Sequence, residues 1–275
     1  MTWVPGGRFA MGDERFYPEE RPVREVSVDG FWLDTVPVTV AAFRRFVRAT
    51  GYVTTAERAP DADAYPEADP ALLVPGSIVF RPTRGPVPLD DHTRWWDYIP
   101  GAYWERPEGP ASDTYTRGRH PVTQVTLADA SAYAAWAGAV LPGEAEWEYA
   151  ARGGLAGAAF AWGDEDDPSR LNRWVGEFPW QGHRGTTAVG SFAPNGYGLF
   201  DMTGNVWEWT ADAFAEETHG CHGPTVDGIP RHVIKGGSHL CAPSYCLRYR
   251  PAARQGETID TSTSHLGFRC AIRAT

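Results

Sequence analysis

Leu141-Pro142-Gly143-Glu144-Ala145-Glu146-Trp147-Glu148-Tyr149-Ala150-Ala151-Arg152-Gly153-Gly154 reads as one short helix with both ends marked. Pro142 stands near the start, where a missing N–H costs little. Glu144, Glu146 and Glu148 load the early turns with negative charge, which the positive end of the helix dipole favours. Gly153-Gly154 supplies the left-handed stop. Upstream, the sequence predicts a second short helix. Thr126 caps it, Asp129 can reach back to the cap, Ala130, Tyr133, Ala134 and Trp136 are its apolar positions, and Gly138 ends it. A third begins at the N-cap Thr39, puts Val40, Phe43, Phe46 and Val47 on one face, and stops at Gly51. Val23 to Leu33 reads as a strand, and Trp3 to Gly12 as a short strand interrupted by a turn. Residues 57–122, dominated by Pro, Gly, Asp and scattered Trp, read as a long irregular excursion of the kind that carries function. Beyond Gly154 the chain reads as short strands and turns. No linker or internal repeat divides it, so the expectation is one α+β domain, residues 1–275, of low regular content.

Composition agrees with a loop-rich core. The apolar fraction is 42%, with 30 Gly, 23 Pro and 12 Trp. That combination excludes a disordered chain and points to aromatic packing rather than long helices. A net charge of −10 argues against nucleic-acid binding and is compatible with a basic peptide partner. No apolar run approaches the roughly 20 residues of a membrane span. Met1 to Met11 lacks the basic and apolar regions of a secretory signal, so the expected location is the cytoplasm. The four cysteines, Cys221, Cys241, Cys246 and Cys270, are then expected as free thiols or metal ligands rather than as a disulfide framework.

The chemistry concentrates in Lys235-Gly236-Gly237-Ser238-His239-Leu240-Cys241-Ala242-Pro243-Ser244-Tyr245-Cys246-Leu247-Arg248-Tyr249-Arg250. Three readings compete for two cysteines five positions apart. They are small buried hydrophobes; or part of a zinc site, although Cys221 and Cys270 lack the paired spacing zinc favours; or a two-coordinate Cu(I) site, which soft thiolates select. Arg248 and Arg250 would help keep both thiols deprotonated.

At this point the sequence resembles the formylglycine-generating enzymes, or sulfatase-modifying factors, over nearly its whole length. The resemblance rests on Trp3 to Gly7, Met11-Gly12, Glu19 to Val23, Val28 to Trp32, His120-Pro121-Val122, Leu141 to Gly154, Asn195 to Leu199, Gly204 to Trp209 and His265 to Cys270. Most of these mark a scaffold resembling C-type lectins, which serves relatives with other chemistry or none. The discriminating stretch is Ser238 through Arg254, because relatives without the activity generally lack both cysteines.

The resemblance implies that Cys241 and Cys246 bind Cu(I). It implies that a cysteine in a Cys-x-Pro-x-Arg segment of an unfolded or extended sulfatase becomes a third ligand. With dioxygen, that cysteine loses a β-hydrogen, and the thioaldehyde hydrolyses to formylglycine. Ser238 and Trp207 match residues of the oxygen pocket, and Tyr245 a tyrosine beside the metal. Structural calcium is implied at Asp201, Gly204, Val206 and Glu208, an all-oxygen set. A second calcium site is implied at Asn172 and Arg173, where Gln181 stands near the position of a family Asp. Ala242-Pro243 replaces a His-Arg pair and bears on specificity. Pro251 and Ala151 stand where secretory members place disulfide cysteines, which leaves Cys270 without that partner. Cys221 matches no family role. Trp95, Trp96 and Trp104 are candidates for a wall of the client groove, with Asp91 or Asp97 for the client's arginine. The rivals are a non-catalytic binding module on the same scaffold and an iron-dependent sulfoxide synthase, whose three-histidine site has no HxxxH-type counterpart here.

Overall fold

The computed structural model describes residues 1–182, 185–215, 225, 226 and 228–274. Cys221 lies outside them. In chain order the elements are β1 (Thr2–Val4), β2 (Gly7–Met11), β3 (Arg24–Val28), β4 (Phe31–Leu33), α1 (Val40–Thr50), β5 (Gly76–Phe80), β6 (Trp96–Pro100), α2 (Leu127–Trp136), α3 (Glu144–Arg152), β7 (Trp207–Ala213), β8 (Thr225–Val226), β9 (Ile229–Lys235), β10 (Arg254–Thr258), β11 (Leu266–Gly267) and β12 (Ala271–Arg273). The three helices form where their caps place them. Thr39 accepts a hydrogen bond from the Ala42 N–H (3.2 Å), and Gly51 closes α1 at φ +71°. Thr126 and Asp129 bond reciprocally, 2.9 and 3.3 Å, at the start of α2. Gly153 closes α3 at φ +56°.

Three details depart from the sequence reading. Trp136 is not a core position of α2 but 44% exposed, leaving Ala130, Tyr133 and Ala134 to face the core. The strand expected over Val23 to Leu33 breaks at Asp29-Gly30 into β3 and β4. The excursion of residues 57–122 contains an antiparallel pair, β5 with β6.

Two sheets organise the molecule. In one, β4 is flanked by β1 and β12, both antiparallel to it. In the other the order is β10-β9-β7-β11, with β8 pairing β9. Strands β9 and β10 pair antiparallel from Lys235↔Arg254 outward, so residues 236–253, including both cysteines, are the loop of one hairpin. Trp207 opens the neighbouring strand β7, whose Glu208 is in register with Lys235. Topology thus brings Trp207 to the root of the cysteine loop.

Buried charge fixes that loop. The acidic residues of α3 do more than face a dipole. Glu148 is buried against Lys235 Nζ (3.0 Å) and Arg152 Nη2 (2.8 Å), and Glu144 pairs with Arg254 Nε (2.7 Å). Within the loop, Arg250 forms a fully buried ion pair with Glu20, and Arg248 pairs with Glu19 (2.6 Å). Gly237 turns the chain at φ +68°, and a Cβ there would come within 2.8 Å of the Arg248 carbonyl oxygen. Only glycine meets both conditions at low cost.

Candidate active site

Two successive turns fold the cysteines onto each other. In the first, the Cys241 N–H donates to the Ser238 carbonyl (3.0 Å) and the Ser238 N–H points at Cys241 Sγ (3.4 Å). In the second, the Ala242 carbonyl accepts from both Tyr245 N (3.0 Å) and Cys246 N (2.7 Å). Pro243 follows the accepting residue, where its fixed φ suits a turn. The Cys241 and Cys246 sulfurs end 3.0 Å apart and unbonded, Cys241 buried and Cys246 half-buried. Burial pushes the Cys241 thiol up, so it keeps its proton and donates it. That hydrogen bond, reinforced by Arg248, holds Cys246 down at about 7. Above about pH 7 the site is therefore a thiol–thiolate pair.

The pair lies in a cavity of about 210 Å³, lined among others by Trp207, Ser238, Tyr245, Trp95, Trp96 and His265. Ser238, Trp207 and Tyr245 are thus all brought to the cysteines. The Ser238 hydroxyl accepts from Leu240 N (3.1 Å), leaving its own proton free to donate. The Tyr245 ring stacks on Phe178 (centroids 4.6 Å, 7°), and burial raises its phenol, which stays protonated. Trp95 sits beneath as core, edge-on to Tyr245 at 5.4 Å. Trp96 is half-buried against the His265 ring at 4.8 Å. Trp104 is not part of this wall: it packs in the main core against Phe43 at 5.3 Å, drawn there by its apolar ring. Asp91 caps its own turn and pairs with Arg94 (3.3 Å), and Asp97 pairs with Arg81 (3.5 Å). Ala242 is fully buried among Trp95, Trp174, Phe178 and Leu240, where a larger residue would have to displace aromatic rings.

The sequence reading missed His265, Gln255, Phe80 and Phe178 as lining residues. The motif containing His265 was visible, but only the parallel pairing of β11 with β7 carries it to the cavity.

The residues of the first calcium set cluster at the opening of β7. The Asp201 carboxylate accepts from Gly190 N (2.7 Å), and burial pushes it up. Both Glu208 oxygens accept from Arg269 (2.7 Å each), and one also accepts from Trp147 Nε1 (2.8 Å). In the second set, the Asn172 side chain donates to Gly185 O (3.0 Å) and Asn205 Oδ1 (3.2 Å), and Arg173 pairs with Asp166 (3.4 Å). Together with Gln181, that set offers a divalent cation no carboxylate, unlike the first. Among the described residues no three His, Cys, Asp or Glu side chains converge as a metal site.

The sulfatase-modifying factor enzyme 1-like domain matches residues 1–274. The formylglycine-generating enzyme of Mycobacterium tuberculosis is 51% identical, over 97% of this chain and 95% of its own length. The inactive C-alpha-formylglycine-generating enzyme 2 of Mus musculus is 39% identical, over 100% of this chain and 86% of its own, so likeness in fold does not by itself decide activity. The solved structure of PvdO from Pseudomonas aeruginosa shares the fold at a TM-score of 0.65 and 22% identity, over 99% of this chain and 93% of that one. The lectin-like α+β scaffold, the hairpin loop and the extent of these matches agree: the chain belongs to the sulfatase-modifying factor enzyme 1-like family.

Proposed function

We propose that this protein is a formylglycine-generating oxidoreductase that converts a cysteine of a client sulfatase, in a Cys-x-Pro-x-Arg segment, to formylglycine with dioxygen. The observation that carries this reading is the unbonded Cys241–Cys246 pair, 3.0 Å apart, at the floor of an aromatic cavity. A binding module would have no use for a reactive thiolate held there.

The donor set is two sulfurs with no competing carboxylate among the lining residues, which fits a soft monovalent ion, and Cys241 and Cys246 would hold Cu(I). Bound copper supplies the activation of dioxygen. The rest falls to the chain's own groups. Trp96 and Phe80 exclude water from one side of the cavity, and the Ser238 hydroxyl offers a hydrogen bond into it. The Tyr245 phenol, protonated and oriented by Phe178, can move a proton at the client sulfur or at the cavity's polar end. Dioxygen takes up the two hydrogens that oxidation removes from the client's C–S unit, and water then replaces the sulfur, which leaves as hydrogen sulfide.

An open cavity demands an extended client, because a folded one could not lower a cysteine between Trp96 and Tyr245. We also propose structural calcium at Asp201, Glu208 and the carbonyls of Gly204 and Val206. The half-buried Asp201 carboxylate, within electrostatic reach of Glu208, favours a cation, and Arg269 makes that affinity modest by occupying both Glu208 oxygens. No helix among the described residues is long and apolar enough to cross a membrane, and a reducing cytoplasm is the compartment that keeps the thiol pair open.

The deciding test is mass spectrometry of a Cys-x-Pro-x-Arg peptide incubated with the protein, Cu(I), oxygen and a thiol reductant. Formylglycine is expected in place of cysteine. An unmodified peptide that nevertheless binds would replace this reading with that of a binding module.

A further inference from the structure

Two side chains lining the thiol cavity have hydrogen-bonding capacity that no described residue uses. His265 spends Nδ1 on Thr263 Oγ1 (2.6 Å), its carbonyl accepts the Trp207 N–H (2.8 Å), and its ring rests on Trp96, yet no described group bonds Nε2. Gln255 sits on β10 in register with Ile234, and its carboxamide bonds no described residue. Neither side chain is fully buried, so neither needs a protein partner, and both line the cavity that holds the cysteine pair.

The kind of partner follows from chemistry. Desolvation inside the cavity, with His239 nearby, lowers His265, so its imidazole is neutral at physiological pH. A neutral imidazole fixed by Thr263 and a carboxamide can each donate or accept, and neither carries charge. Such groups match a peptide unit, which offers one N–H and one C=O. They do not match a charged side chain, which would call for an opposite charge.

We propose that His265 and Gln255 anchor the main chain of the client segment that flanks the reacting cysteine, making them substrate-positioning residues along one edge of the cavity. This rests on the enzymatic reading above. Main-chain anchoring explains how a site can hold a segment whose intervening residues vary, since every residue offers the same backbone groups.

The test compares His265→Phe, His265→Gln and Gln255→Leu with the parent protein. Phe keeps the ring against Trp96 and removes the polar edge, whereas Gln restores a donor and acceptor. Binding of a Cys-x-Pro-x-Arg peptide is measured on metal-free protein by fluorescence anisotropy, and kcat and KM on copper-loaded protein. One neutral hydrogen bond corresponds to roughly a 3- to 10-fold change. His265→Phe and Gln255→Leu are each expected to raise Kd and KM by about that factor with kcat nearly unchanged, and the pair together by more than about 10-fold, while His265→Gln stays within about 3-fold of the parent. Unchanged Kd in folded His265→Phe and Gln255→Leu would overturn the proposal. So would a fall in kcat at constant Kd, or a loss of Cu(I) affinity, which would make His265 part of the metal site. If the parent itself makes no formylglycine, the enzymatic reading fails, while the metal-free binding series still reports on the anchor.

Discussion

At the scale of single residues, the cysteine loop separates two thiols that sequence alone treats alike. Cys246 is half-exposed and held near 7, while Cys241 and Cys270 are buried and pushed up. In metal-free protein, alkylation by iodoacetamide is expected at Cys246 first, with a rate that rises with pH through about 7 and then levels off. Peptide mapping checks this, and equal labelling of Cys241 would contradict the shared-proton arrangement. Replacing either Cys241 or Cys246 by Ala should abolish turnover, and X-ray absorption of the loaded protein should show sulfur ligation. The two adjacent tryptophans also part company. Trp95→Ala empties a core site and should cost about 3–5 kcal/mol, read as a lower Tm. Trp96→Ala should leave Tm nearly unchanged and raise KM, because it forms the cavity wall beside His265. The sequence offered both rings as groove candidates, along with Trp104. It could not sort them, since a tryptophan's burial depends on what packs above it, not on its neighbours in the chain.

At the scale of elements, α3 was legible by its ends but not by its faces. Pro142, the acidic first turn and Gly153 marked a helix correctly. The glutamates looked like dipole charges because their partners, Lys235 and Arg254, lie about ninety positions or more away in β9 and β10. Burial alone would raise Glu148, but Lys235 and Arg152 outweigh it and hold the carboxyl below its ordinary value of 4.5. A depressed carboxyl contributes stability above its unfolded pKa and loses it as pH falls through the folded value. Glu148→Gln strands two buried cations and is expected to cost about 3–5 kcal/mol in urea unfolding at pH 7. The gap between variant and parent should narrow as the pH is taken below 4.5. A constant gap from pH 7 to pH 3 would mean that the network contributes packing rather than charge. The same reasoning explains why the hairpin itself was hidden. Lys235 and Arg254 are register partners, yet the irregular loop between them gives no alternating pattern to read.

For the whole molecule, the calcium proposal is testable as a stability effect. An ion bound only by the native state raises Tm in proportion to the logarithm of its concentration. Calcium should raise Tm over chelator-treated parent protein, and Asp201→Ala should remove that rise without altering Cu(I) binding. An identical Tm with calcium and with chelator would remove the ion from this chain. The fold class was legible because short capped helices, abundant Gly and Pro and many aromatics leave few alternatives. The pairing of strands was not, because it depends on contacts between distant segments. The sheet in which β4 lies between β1 and β12 shows what that distance entails. Strand β4 is complete at Leu33 and its second neighbour only at Arg273. At ribosomal speeds of about 5–20 residues per second, the growing chain waits roughly ten to fifty seconds with one edge of β4 unsatisfied. His265, Arg269 and the β11 strand that pairs with Trp207 also emerge at the end of that interval. The cavity therefore cannot close before residues 265–273 have left the ribosome, and a chain cut upstream of His265 would carry both cysteines without the pocket around them.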